Sequence, residues 1–200
     1  MLTTLLLWTL WCLLHSLFIH PPVQSWLYAW ISRLAAGTYR LYYILFSLIT
    51  LIPVVAYTYL QEQTVLFTFS GAWRIVQALL LCYAALMFYL GSHAYDMSFF
   101  LGLKQWQDFR DGRTQRPIEF HHSGILKYVR HPWYSGGIAL LWVASSLTTV
   151  SLPVRMLLTG YFILGTILEE RRLKKKWGLQ YIEYCRKVPM LLPWKLFRTH

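Results

Sequence analysis

Charged side chains are scarce in this chain of 200 residues: 14% are Asp, Glu, Lys or Arg, where a soluble domain carries about 25%. The deficit excludes a surface wetted on all sides and leaves lipid as the solvent for much of it. Acid is scarcer than base. Only 8 Asp and Glu stand against 19 Lys and Arg, a formal net charge of +11. Such a balance can serve nucleic acid. Here the bases flank apolar runs, so the anionic face of a lipid bilayer is the expected partner and nucleic acid is not. Cysteine is scarce as well. Cys12, Cys82 and Cys185 are odd in number, the first two lie inside apolar runs, and no CxxC or Cys/His spacing occurs. Neither a disulfide framework nor a metal site is expected.

What the chain does have is apolar length. A helix needs about 20 mostly apolar residues to cross a bilayer. Leu2–Ile19 and residues 41–60, 75–90, 134–150 and 152–168 reach or approach that length. The expected fold is all-α, an integral membrane protein with about five transmembrane helices. The last two spans join around Ser151 as a C-terminal helical hairpin, with Pro153 placed to open the fifth. The N-terminal run lacks the charged start and small-residue cleavage site of a signal peptide, so it reads as a retained first span. Residues 22–31, rich in Trp and Tyr, suit the interface rather than a crossing. With the N-terminus outside, only Arg74 and Arg155 of the 19 Lys and Arg fall on outer loops, and the other 17 lie inside. This asymmetry places the C-terminus in the cytoplasm. A four-span version with a re-entrant hairpin also fits the charges. With no internal repeat, the chain reads as one membrane domain. Residues 1–91 hold three spans, 92–132 a cytoplasmic loop, 133–168 the hairpin and 169–200 a cytoplasmic tail. Loop and tail share a face, so a site there can draw on both.

Three clusters carry chemistry. The first is Lys127-Tyr128-Val129-Arg130-His131-Pro132-Trp133-Tyr134. Pro132 suits the first position of a helix, where its missing N–H costs nothing. The helix start, with Arg130 and His131 beside it, makes an anion site at the membrane surface. The plainer alternative is that both side chains only anchor the helix to headgroups. The second cluster is Glu169-Glu170, two carboxylates at the end of an apolar helix that runs on to Gly178, its expected C′ residue. Pairing of Glu170 with Lys174 at i,i+4 explains one of them. Carboxylates turned inward suit a ribose diol. In the third cluster Tyr181, Tyr184, Cys185 and Val188 share one helix face. Pro189 and Pro193 flank Met190-Leu191-Leu192, which can fold back on the bundle or serve as a surface anchor.

The histidines leave alternatives open. His15, inside the first span, reads as a hydrogen-bonded structural residue, a substrate-pocket residue or a haem ligand. His93 and Asp96, three apart, read as a base and its orienting acid or as a capping pair. His121 and His122 precede the helix start as a lid or as interface residues.

Arg130-His131-Pro132-x-Tyr134, then Glu169-Glu170-x-x-Leu173, then Trp177-Gly178-x-x-Tyr181-x-x-Tyr184-x-x-x-Val188-Pro189 and Pro193 together resemble the isoprenylcysteine carboxyl methyltransferase superfamily. Trp177 departs from that pattern, where Phe or a similar residue is usual. His15-Ser16-Leu17, Tyr39-Arg40-x-x-Tyr43, and Asp96 followed by Phe100-Leu101-Gly102-Leu103-Lys104-Gln105 resemble the bacterial methanethiol S-methyltransferases. The same residues are similar to the NnrU-like proteins, which include a haem-binding carotene isomerase. Many methanethiol enzymes carry an extra N-terminal span that is not seen in this sequence.

The resemblance implies an S-adenosylmethionine pocket built from Tyr128, Val129, Arg130, His131, Pro132, Tyr134, Glu169, Glu170, Tyr181 and Tyr184. Arg130, His131 and the helix start would take the cofactor carboxylate. Glu169 or Glu170, the second preferred, would take the ribose diol. Trp133, Tyr134, Tyr181 or Tyr184 would face the sulfonium. Arg130, Tyr134, His93 and Asp96 are the implied catalytic residues, and His15 and Trp133 the implied substrate contacts. The expected acceptor is a small thiol such as methanethiol, whose ionisation near pH 8.5 is eased by Arg130 or the sulfonium. A prenylated cysteine or other lipophilic acceptor is the first alternative. A haem protein or carotenoid isomerase is the second; it needs two ligands from residues such as His15, His20 and His93 and leaves the glutamates unexplained.

The charge asymmetry puts residues 91–130 and the tail on one face. Cysteines introduced at Gln107 and Thr199 are expected to be equally protected from a membrane-impermeant thiol reagent in intact cells. Labelling of one and not the other refutes the shared face.

Overall fold

The computed structural model describes residues 1–30, 33–113, 120, 122–143 and 146–194, with the backbone alone at 33–36. His121 and Thr199 lie outside the described residues. The elements are α1 (Leu2–Ile19), α2 (Pro21–Trp30), α3 (Arg33–Leu60), β1 (Val65–Phe67), α4 (Trp73–Ala94), α5 (Met97–Phe100), α6 (Leu103–Arg110), a 3₁₀ turn (Gly124–Lys127), α7 (Pro132–Val143), β2 (Leu147–Thr148) and α8 (Ser151–Lys187). Among the described residues, four helical segments are long and apolar enough to cross a membrane: Leu2–Ile19, Gly37–Leu60, Trp73–Ala94 and Ser151–Lys187. Their surfaces point the same way. On α1, Leu6, Leu10, Leu13 and Leu17 form an exposed apolar row while Thr4, Trp8 and Cys12 are buried. Apolar side outward and mixed side inward is the pattern of a helix solvated by lipid, and the chain is an integral membrane protein.

The expected fourth span over 134–150 is shorter than the sequence suggests. Helix α7 has 12 residues, about 18 Å at 1.5 Å per residue. Residues 146–149 read Ser-Leu-Thr-Thr, and this β-branched, hydroxyl-rich run favours a strand. Thr148 pairs with Val65 and Leu147 with Phe67 in an antiparallel ribbon. The same turn opens α8. Ser151 N–H donates to Thr148 Oγ1 (3.0 Å) and Thr148 N–H to Ser151 Oγ (2.8 Å), a reciprocal pair that closes the turn just ahead of the helix. Pro153 falls in the first turn of α8, where its missing donor is tolerated.

The chain forms two compact units, one of residues 1–63 and 96–118, the other of 64–95 and 119–200. In the first, α1 and α3 are joined by a ladder of polar side chains. Trp8 Nε1 donates to Thr58 Oγ1 (2.9 Å) and Trp11 Nε1 to Thr50 Oγ1 (3.2 Å). His15 Nδ1 lies 3.2 Å from Ser47 Oγ, and Tyr43 Oη lies 2.8 Å from His15 Nε2. Tyr39 Oη donates to the Phe18 carbonyl (2.7 Å). In hydrocarbon such groups have no water to fall back on, so each is satisfied across the helix pair. At the end of this unit Asp96 caps α5, accepting from Phe99 N–H (2.9 Å). Gly102, at φ 83°, enters α6 so close to α3 that a Cβ would sit 2.9 Å from Arg40 Cβ. Arg40 Nε donates to the Phe100 carbonyl (2.6 Å), and its guanidinium lies over the Phe99 and Phe100 rings.

In the second unit α4 and α7 pack through small residues. Gly91 leaves room only for the Trp133 ring. A Cβ on Gly136 would be 3.0 Å from Met87 Cβ. Ala84 and Ser135 are buried between them, and Tyr83 Oη bonds Ser135 Oγ at 2.6 Å. Close approach of backbones is how helices associate where lipid removes the hydrophobic drive. Gly160, on α8, faces open space. Gly136→Leu is therefore expected to cost about 1–3 kcal/mol through overpacking, read as a lowered melting midpoint in detergent. Gly160→Leu should melt like the parent. Equal midpoints for the two variants would show that α4 and α7 do not pack at Gly136.

Candidate functional site

The 3₁₀ turn Gly124–Lys127 leads the chain into Tyr128 and Val129, and α7 begins at Pro132 as the sequence predicts. Val129 is fully buried beside Met87, Ile125 and Leu126, which fixes the approach to the helix. The last described segment of the tail returns to this point. Gly178 has φ 56° and ψ −132°, a conformation only glycine adopts readily. It bends α8 without ending it; the expected C′ residue is a kink from which the helix resumes. The resumed stretch turns Tyr181, Tyr184 and Val188 inward against Phe120, Leu173, Trp177 and Cys185. Tyr184 Oη donates to the Leu126 carbonyl at 2.6 Å. Val188 precedes a proline and is extended, which ends the helix. The chain then runs along the start of α7. Arg130 N–H donates to the Pro189 carbonyl (3.0 Å) and His131 N–H to that of Met190 (3.1 Å).

The side chains lock this arrangement. Arg130 Nε and Nη2 lie 2.7 Å and 2.6 Å from Glu170 Oε1. Its Nη1 donates to the Cys185 carbonyl (2.8 Å) and to that of Val188. Both ionic side chains are more than nine-tenths buried. Removing one partner of such a pair strands the other charge and costs about 3–5 kcal/mol. The i,i+4 partner Lys174 is only a distant second, 3.8 Å from Glu170 Oε2. His131 Nε2 stands 3.3 Å from Glu170 Oε1 but out of line for a hydrogen bond. This buried nitrogen has no hydrogen-bond partner among the described residues.

Glu169 and Glu170 part company. Glu170 is buried in the Arg130 clamp, whereas Glu169 is partly exposed and interacts with the Tyr134 hydroxyl. Tyr134 stands edge-on to the His131 ring, centroids 5.7 Å apart. The chemistry left available is thus an open donor or acceptor at His131, a carboxylate at Glu169, the hydroxyl of Tyr134 and the start of α7. Arg130, expected to meet a ligand carboxylate, has its guanidinium filled by Glu170 and two carbonyls.

Other expected residues have different work. Trp133 packs on Gly91 and Tyr95, and its indole N–H reaches the Phe88 carbonyl at 3.3 Å. Tyr128 is exposed. His93 and Asp96 do not share a helix face, because α4 ends at Ala94 and Tyr95 is extended. His93 Nδ1 lies 2.9 Å from the Tyr89 carbonyl. Asp96 caps α5 and pairs with Lys104 at 3.2 Å; Phe99 N–H and the Lys104 ammonium hold its carboxyl below the usual carboxylate range. His15 belongs to the α1–α3 ladder. Phe120, not foreseen, is the hub of the aromatic group, with ring centroids 5.2 Å from Trp177, 5.6 Å from Tyr181 and 5.3 Å from Tyr184. His122 stacks on it. The available signal is a Phe in the polar run 111–124, which has only Ile118 as another large apolar residue.

Three curated relatives are similar to this chain over nearly all of it. Methanethiol S-methyltransferase 1 of Bradyrhizobium diazoefficiens is 28% identical over 96% of this chain and 66% of its own length. Methanethiol S-methyltransferase 2 of the same organism is 29% identical over 96% of the chain and 73% of its own. The methanethiol S-methyltransferase of Pseudomonas deceptionensis is 29% identical over 96% and 72%. The chain thus spans roughly two thirds to three quarters of the length of these relatives. No solved structure matches. The family model described as NnrU protein covers residues 2–190, from the first apolar helix through the clamp to the returning tail, and the chain belongs to the NnrU family.

Proposed function

We propose that this chain is a membrane methyltransferase that uses S-adenosylmethionine to methylate a small thiol such as methanethiol. The observation that carries the reading is the returning tail, which gathers His131, Tyr134 and Glu169 at the start of α7. The similarity to relatives named methanethiol S-methyltransferase over 96% of the chain supports it. The residues present fit the cofactor. The buried Nε2 of His131, which makes no hydrogen bond among the described residues though Glu170 Oε1 lies 3.3 Å away, suits a ligand carboxylate beside a helix start. Glu169 suits the ribose diol and the face of Tyr134 a sulfonium, while Tyr181 and Tyr184, expected there too, are buried in the aromatic cluster that backs the site. Bound there, S-adenosylmethionine supplies an electrophilic methyl group. The protein's part is alignment and exclusion of water. Tyr134, beside Glu169, would orient the acceptor; the thiol would release its proton to water on entry, and its sulfur would form the new bond to the methyl carbon as that carbon's bond to the donor sulfur breaks, leaving S-adenosylhomocysteine. Arg130 and Glu170 act as positioning residues. A haem reading needs open imidazole nitrogens, and both ring nitrogens of His15 face Ser47 and Tyr43, which weighs against it.

The same reading takes five crossings, with the N-terminus outside and the Arg130 cluster facing the cytoplasm. Helix α7 is short, yet Trp133 meets α4 at Gly91 and the Val143 carbonyl accepts from Gln77 near the other end of α4. Strand β2, at residues 147–148, pairs with β1, which precedes α4. Helix and strand together support a full crossing rather than a re-entrant turn.

Titration calorimetry of the detergent-solubilised protein with S-adenosylhomocysteine tests the roles. Glu169→Gln and His131→Ala should each weaken binding about 10- to 150-fold, the worth of a charged hydrogen bond of about 1.5–3 kcal/mol, with melting nearly unchanged for Glu169→Gln. Glu170→Gln should instead lower thermal stability severely. Wild-type affinity in both folded Glu169→Gln and His131→Ala proteins would overturn this placement of the cofactor. Haem absorbance in the purified protein without S-adenosylhomocysteine binding would overturn the methyltransferase reading itself.

A further inference from the structure

Just past the Arg130–Glu170 clamp, α8 carries Arg171, Arg172, Lys174, Lys175 and Lys176, five bases in six consecutive positions. All five are exposed; the intervening Leu173 packs inward on the tyrosine cluster. On a helix Arg171 neighbours Lys174 and Lys175, and Arg172 neighbours Lys175 and Lys176, so like charges repel across each turn. The neighbouring acids neutralise little of this charge. Glu170 is held by Arg130, with only its second oxygen 3.8 Å from Lys174, and Glu169 faces Tyr134. Lys176 lies over the Trp177 ring, 4.8 Å from its centroid. Among the described residues these five bases have no other ion pair. The helix that supplies half of the clamp therefore carries unneutralised self-repulsion in its next turn and a half.

The setting says what neutralises it. The run continues directly from the apolar part of a membrane-crossing helix. The tail that follows exposes Leu179 (78%), Leu192 (59%) and Trp194 (54%), apolar and aromatic groups of the kind that settle at the headgroup level. Bases and exposed apolar side chains on one short segment match a layer with negative phosphates above hydrocarbon. We infer that residues 171–176 are a docking surface for the phosphates of anionic phospholipids, and that this lipid contact stabilises the folded-back tail. Each base near an anionic surface is attracted to it, and the attraction removes the repulsion that strains the clamp helix. The consequence is a tail whose closure over the start of α7 depends on the charge of the bilayer.

The whole protein, reconstituted in nanodiscs of phosphatidylcholine alone or with added phosphatidylglycerol, tests this without reference to catalysis. Phosphatidylglycerol should raise the melting midpoint by roughly 2–4 °C or more, and high salt should shrink the rise. Native mass spectrometry should find phosphatidylglycerol retained in preference to phosphatidylcholine. A variant with Arg171, Arg172, Lys174, Lys175 and Lys176 all changed to Gln should lose both effects while melting no lower than the parent in phosphatidylcholine. The milder pair Lys174→Gln and Lys175→Gln should lose part of each. The proposal fails if phosphatidylglycerol leaves the wild-type midpoint unmoved, if the five-base variant responds as fully as the parent, or if soluble glycerol phosphate reproduces the rise in phosphatidylcholine discs.

Discussion

A guanidinium that is more than nine-tenths buried at the mouth of an apolar bundle must find a counter-charge and fill its remaining donors. Arg130 does so with Glu170, 40 residues on, and with the carbonyls of Cys185 and Val188, 55 and 58 residues on. Much of the second unit follows from that requirement. Helix α8 must continue beyond its apolar stretch far enough to present Glu170. The chain must then turn, which Gly178 permits, and must stop being helical where carbonyls are needed, which Val188 before Pro189 ensures. A pair of this kind is weak evidence for added stability, since an apolar replacement can be as stable. Its worth lies in specificity. One buried cation leaves few ways to arrange three segments around it.

The clamp also assigns the two glutamates. Successive residues on an α-helix point about 100° apart, so Glu169 and Glu170 cannot both face Arg130. With Glu170 turned to the cation, Glu169 is left toward Tyr134. Adjacent carboxylates in a membrane-boundary helix are therefore one structural acid and one available acid. The rotation that satisfies the buried charge also sets the phase of the residue beside it.

That phase marks the limit of what the amino-acid order reveals. The start of α7 was legible, because Pro132 allows little else. So was the inward face of Tyr181, Tyr184 and Val188, because its spacing is local. The four long apolar helices were legible from length alone. The end of α7 was not: the strand at Leu147–Thr148 exists by pairing with β1 some eighty residues earlier, and a hydrophobic count runs straight through it. Which glutamate meets Arg130 depends on helix rotation, which sequence spacing does not fix. The shared face expected of His93 and Asp96 failed for a local reason, the end of α4 at Ala94. Phe120 was missed because its neighbours in the fold come from the far end of the chain.

The two units solve the problem of holding helices in lipid differently. In the first, polar rungs from Trp8 to Tyr39 run along the α1–α3 contact. In the second, the middle of the α4–α7 contact is made by Gly, Ala and Ser with the rung Tyr83–Ser135 and, toward the start of α7, Trp133 to the Phe88 carbonyl. Polar links there gather at the ends. One end holds Gln77 to the Val143 carbonyl and Arg155 to that of Ser146. The other holds the clamp and the two backbone bonds from Arg130 and His131. Small-residue packing sets distance but resists sliding weakly, since its surfaces are smooth. The register of α7 is therefore fixed at its ends, and His131 and Tyr134 inherit their positions from the end that carries the clamp. A site made of backbone and short side chains at a helix start needs that degree of fixing, because it has few side-chain degrees of freedom with which to correct an error.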